Sequence, residues 1–111
     1  MIVVVCEDLF FWAKIHAVAS AKGVRAVRAA DDAAMDSALA AGDVDTIFAD
    51  LAVRAIDLQA WAARWKSLPR PPRIVGFVSH VDVEAQRRAR DAGFDEVLAR
   101  SRFTERLPDL I

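Results

Sequence analysis

Val44-Asp45-Thr46-Ile47-Phe48-Ala49-Asp50 is the stretch on which the fold turns. Residues 44–49 read as a short buried strand, and the strand closes on an ionisable carboxylate, Asp50. Upstream, Ala34, Met35, Ala38 and Leu39 line one face of a helix that Asp31 or Asp32 can cap and Gly42 ends. Before that helix, Val24 to Ala29 can form another short strand. Further back, Phe11, Ile15, Val18 and Ala19 fall at helical spacing between Phe11 and Lys22, with Gly23 as the stop. The chain opens on Ile2 to Val5, a continuous β-branched run typical of a strand covered on both faces.

Downstream of Asp50 the alternation continues. Leu58, Trp61, Ala62 and Trp65 mark a helix that Pro69, Pro71 and Pro72 terminate, because proline lacks the N–H a helix interior needs. Ile74 to Val78 is the fourth strand, Asp82 can cap a helix rich in alanine and arginine that ends at Gly93, and Phe94 to Ala99 is the fifth strand. From Arg102 to Ile111 the sequence predicts only a turn or two of helix before Pro108 interferes.

Strands alternating with helices over short connections predict a three-layer, doubly wound, flavodoxin-like α/β domain spanning residues 1–111, with five parallel strands in the order 2-1-3-4-5. Parallel crossovers are right-handed, so every strand C-terminus faces one edge. Ligand chemistry in open α/β sheets gathers at that edge, at the switch point between the first and third strands.

Composition narrows the function. A chain of 111 residues with net charge -1 and no long run of like charge lacks the footprint of a nucleic-acid binder. The densest basic cluster, Arg87, Arg88 and Arg90, reads as a solvated helix face. One cysteine, Cys6, precludes an internal disulfide or thiolate cluster and reads as a small buried hydrophobe. The opening apolar run is too short to span a bilayer and has no basic residue before it, so a cytoplasmic protein without membrane contact is expected.

The strand ends carry Glu7 and Asp8 after the first, Asp50 after the third, Ser79 after the fourth and Arg100 after the fifth. The stretches Cys6-Glu7-Asp8, Asp45 to Leu51, Gly76-Phe77-Val78-Ser79-His80 and Ala92 to Leu98, in this order and spacing, resemble the receiver domain of two-component response regulators. The resemblance implies that Asp50 accepts a phosphoryl group from a histidine kinase or phosphotransfer protein. It further implies that Glu7, Asp8 and Asp50 hold Mg2+, that Ser79 is the switch hydroxyl, and that Arg100 stands where the family has lysine. Three carboxylates about 5 Å apart repel by roughly 3 kcal/mol per pair at an effective dielectric near 20, so such a cluster calls for a cation. The implied role is a stand-alone phosphoacceptor module, not an enzyme in its own right, that signals to a downstream protein partner through its fourth helix and fifth strand.

The sequence departs from the family in several places. Arg100 is followed by Ser101 instead of proline, and a planar guanidinium can lock a carboxylate where an ammonium would track a phosphoryl oxygen. The segment 51–55 lacks the methionine, proline and glycine usual after the phosphoacceptor, His80 replaces a small residue, and the tail is short. A stub of a fifth helix would leave apolar surface open, from which a homodimer is expected. The alternative reading is a pseudo-receiver, an interaction or dimerisation module in which Arg100 neutralises the acids and no phosphate is accepted. A nucleotide-binding flavodoxin relative is disfavoured because no glycine-rich turn follows the first strand. His16 and His80 lack metal-ligand spacing and read as structural, Trp61 and Trp65 read as core, and one of Phe10, Phe11 and Trp12 must face solvent or the site's rim.

Overall fold

The computed structural model describes all residues, Met1–Ile111. The strands are β1 (Ile2–Val5), β2 (Ala26–Arg28), β3 (Thr46–Asp50), β4 (Arg73–Val78) and β5 (Glu96–Ala99). They alternate with α1 (Leu9–Ala21), α2 (Asp32–Ala40), α3 (Leu58–Lys66), α4 (Val83–Asp91) and α5 (Arg100–Leu110). All strand pairs are parallel, in the order β2-β1-β3-β4-β5. The three central strands are almost wholly buried and the two edge strands only partly so, which is why the central ones read as unbroken apolar runs.

Strand alternation sends side chains into two cores. Val3, Val5, Ile47, Ala49 and Ile74 face α2, α3 and α4, where Met35, Trp61, Ala62, Trp65 and Ala89 meet them. Ile2, Val4, Phe48, Val75 and Phe77 face α1 and α5, packing on Phe11, Ile15, Phe103, Leu107 and Leu110. Asp50 lies two positions beyond Phe48 and so points toward the α1 and α5 layer. Its register partner is Phe77 of β4.

An aspartate caps each of the first four helices: Asp8, Asp31, Asp57 and Asp82 accept hydrogen bonds from backbone N–H groups of the first turn. Such caps contribute about 1 kcal/mol each and fix where each helix leaves its strand. Gly23 follows α1 at φ +70°, a left-handed conformation that favours glycine and reverses the chain into β2.

The tail corrects the expectation of a stub. α5 runs through 11 residues, with Pro108 inside its last turn. Proline there removes one hydrogen bond to an exposed turn, whereas Phe103, Leu107 and Leu110 are all buried on the sheet. Each such side chain contributes about 1.5–3 kcal/mol, so burial outweighs the roughly 3 kcal/mol that an interior proline costs. The uncovered tail face from which a homodimer was expected is therefore absent. Trp61 and Trp65 are core as expected, with Trp61 Nε1 donating to Asp32 Oδ1 at 2.9 Å and so tying α3 to α2. No helix is long and apolar enough to cross a membrane.

Candidate functional site

Asp50 is the one charged side chain in the buried interior. A carboxylate so placed must be hydrogen-bonded and charge-compensated, and both oxygens are engaged. Oδ1 accepts the Ala52 N–H at 2.9 Å, and Oδ2 accepts Arg100 Nη2 at 2.9 Å. Arg100 is the first residue of α5, immediately after β5, so the fifth strand delivers its guanidinium to the end of the third. The Asp50 side chain is 7% exposed and that of Arg100 39%, so the pair is open to solvent from the arginine side.

Asp8 approaches the same guanidinium, with Oδ2 3.7 Å from Arg100 Nη1. Its other oxygen accepts the N–H groups of Phe10 at 2.9 Å and Phe11 at 3.2 Å, so one residue both caps α1 and faces the cleft. The guanidinium lies over the Phe11 ring, 4.7 Å from its centroid, and 5.6 Å from that of Phe77. The rings of Phe11 and Phe77 themselves sit 4.7 Å apart, which makes a continuous aromatic floor for a planar cation.

Asp8, Asp50 and Arg100 thus converge as the sequence implied. Glu7 turns elsewhere: its Oε1 accepts the Arg54 N–H at 3.1 Å and ties the loop after β3 to the loop after β1. Ser79 stands exposed, two positions past Phe77 on β4, and its backbone carbonyl accepts the Asp82 N–H at 3.0 Å. His16 and His80 are both exposed, His16 beside the Trp12 ring at 5.2 Å. Cys6 is buried at the end of β1, and burial pushes its thiol pKa up.

The donor set does not fit magnesium as it stands. Mg2+ demands several oxygens in near-octahedral array, yet no three acidic, histidine or cysteine side chains come together in a metal-holding group. Glu7 is committed to Arg54, Asp8 to the α1 cap, and the space between Asp8 and Asp50 is taken by Arg100.

One contact at the site has no signal in the sequence. Phe11 reads as core from its spacing, but only the structure shows it supporting Arg100. Leu9 and Phe10 at the start of α1, and Val81 and Val83 around the start of α4, are exposed, Phe10 to 87%, so Phe10 is the aromatic of the Phe10, Phe11 and Trp12 run that faces solvent, as expected of one of them. The helical phase gives a signal for Phe10, since Phe11 and Ile15 facing inward leave the preceding position outside.

The chain has the fold of response-regulator receiver domains. It is similar to a signal receiver domain from Bermanella marisrubri, at 20% identity and TM-score 0.83, over 98% of this chain and 92% of that one. The receiver domain of NtrX from Brucella abortus aligns at 18% identity and TM-score 0.81, covering 99% of this chain and 93% of its own. The beryllofluoride-activated NtrC4 receiver domain dimer aligns at 15% identity and TM-score 0.77, over 97% and 93% of the two chains. No protein-family model matches the sequence, and no curated protein matches it significantly.

Proposed function

We propose that this chain is a receiver module of two-component signalling in which the Asp50 carboxylate accepts a phosphoryl group from a histidine kinase or phosphotransfer protein. The observation that carries the reading is the placement of Asp50: a buried carboxylate at the C-terminal end of the central strand, one oxygen held by Ala52 and the other by Arg100. The beryllofluoride-activated neighbour is a protein of the same fold, and its activation supports the same chemistry here. In this reading a carboxylate oxygen of Asp50 attacks phosphorus as the bond to the donor's leaving nitrogen breaks, with in-line geometry and charge compensation supplying most of the catalysis. Asp50 is nearly closed to solvent, so Arg100 swings outward to admit the donor. The Ser79 hydroxyl, one residue past the end of β4, the strand that pairs with β3, then reaches a phosphoryl oxygen.

Receiver domains generally bind magnesium; here Asp8 and Asp50 would be the residues to hold it and offset phosphoryl charge, and only with Arg100 displaced from their oxygens. Exposed Leu9, Phe10, Val81 and Val83, in the segments that follow the C-terminal ends of β1 and β4, supply apolar surface for docking the donor. Rearrangement at Arg100, which begins α5 where β5 ends, carries the signal to the α4 and β5 surface and on to a downstream protein. The module acts in the cytoplasm and is not an enzyme in its own right.

Beryllofluoride binding tests the reading. Fluorine NMR in a magnesium buffer is expected to show a bound signal with the parent protein and none with Asp50→Asn. A signal of equal intensity in both would mean that the adduct forms elsewhere.

A further inference from the structure

Arg100 does more than pair with one acid. Its two terminal nitrogens reach different carboxylates, Nη2 to Asp50 Oδ2 at 2.9 Å and Nη1 to Asp8 Oδ2 at 3.7 Å. These are the oxygens that a divalent ion bridging the two residues would need. The remaining oxygens are already taken, Asp50 Oδ1 by the Ala52 N–H and Asp8 Oδ1 by the start of α1.

We infer that the Arg100 guanidinium is the resident cation of this cleft, and that Arg100 and a divalent ion exclude each other from the Asp8 and Asp50 oxygens. Geometry sets the exclusion. An ion about 2.1 Å from Asp50 Oδ2 and a nitrogen 2.9 Å from the same oxygen are two cations no more than about 5 Å apart, with no third carboxylate to offset them. Phe11 and Phe77 strengthen the arginine's claim, because a flat, weakly hydrated guanidinium gains from lying on aromatic faces. A lysine ammonium in the same place would contact one oxygen as a point charge and leave the other free. The inference stands whether or not Asp50 is phosphorylated, since metal binding is read with no phosphodonor present.

The test is metal titration of the whole chain, with Mn2+ followed by broadening of the Asp8, Asp50 and Ala52 amide signals and Mg2+ followed by calorimetry. The parent protein is expected to keep sharp signals into the millimolar range. Arg100→Ala is expected to bind either ion at least tenfold more tightly, and Arg100→Lys to fall between the two. A parent that binds as tightly as Arg100→Ala overturns the inference, as does a folded Arg100→Ala protein that binds no better than the parent. Should Arg100→Ala fail to fold, the parent decides alone: broadening at Asp8 and Asp50 in submillimolar Mn2+ refutes the exclusion, and sharp signals through several millimolar support it.

Discussion

Replacing Arg100 by alanine strips the Asp50 carboxylate of its counter-charge and leaves it the Ala52 N–H alone. Breaking a fully buried ion pair from one side costs about 3–5 kcal/mol, whereas a surface pair is worth about 0–1 kcal/mol. Asp50 is buried but Arg100 is 39% exposed, which places the loss near 2 kcal/mol after allowance for solvent screening. Removing the guanidinium from the Phe11 ring adds about 0.5–1 kcal/mol. The sum, about 2.5–3 kcal/mol, corresponds to a drop in Tm of roughly 10–20 °C for a domain of this size. Urea denaturation at neutral pH measures it, and the Asp50→Asn background isolates the charge pair. With the carboxylate neutral, Arg100→Ala is expected to cost less than about 1 kcal/mol, because its main partner no longer needs compensation. A cost below about 0.5 kcal/mol in the parent, or the same cost in both backgrounds, would refute the claim that this pair compensates the buried charge.

Three further outcomes are expected. Gly76→Ala would place a Cβ 2.9 Å from Phe94 Cδ2 and 3.0 Å from Leu51 Cδ2, so overpacking should destabilise the fold by about 1–3 kcal/mol in denaturant unfolding. Leu107→Ala should cost about 2–5 kcal/mol, because α5 buries this side chain against the sheet, and a frayed tail would show almost no loss. Hydrogen bonds from Arg106 and then Arg73 hold the Glu96 carboxyl below the usual carboxylate range. Folding lowers that pKa, so the stabilisation is complete above the unfolded value near 4.3 and drains away as pH falls through the lowered folded value. Glu96→Gln should therefore melt below the parent at neutral pH, with the two melting curves converging in strong acid.

The strand order, the two-faced sheet and the meeting of Asp8, Asp50 and Arg100 were legible because each depends on periodicity and on which strand ends share an edge. The extent of α5 was not, since Pro108 signals a break whether it stands in mid-helix or, as here, in the last turn, where its lost hydrogen bond matters little. Strand limits shifted for a related reason. Val24 and Phe94 are apolar like strand residues but lie in the approaches to β2 and β5, where Phe94 packs on Trp65 with ring centroids 6.4 Å apart. Glu7 shows the limit at the site. Sequence places its backbone beside Asp8, but the side chain's direction depends on the Arg54 N–H, supplied by a loop distant in the chain.

Whether Asp50 is the phosphoacceptor is decided by intact-mass measurement after incubation with acetyl phosphate, followed by peptide mapping. The expected result is a gain of one phosphoryl group, on the peptide containing Asp50 and absent from Asp50→Asn. No gain in the parent, or an undiminished gain in Asp50→Asn, would contradict it.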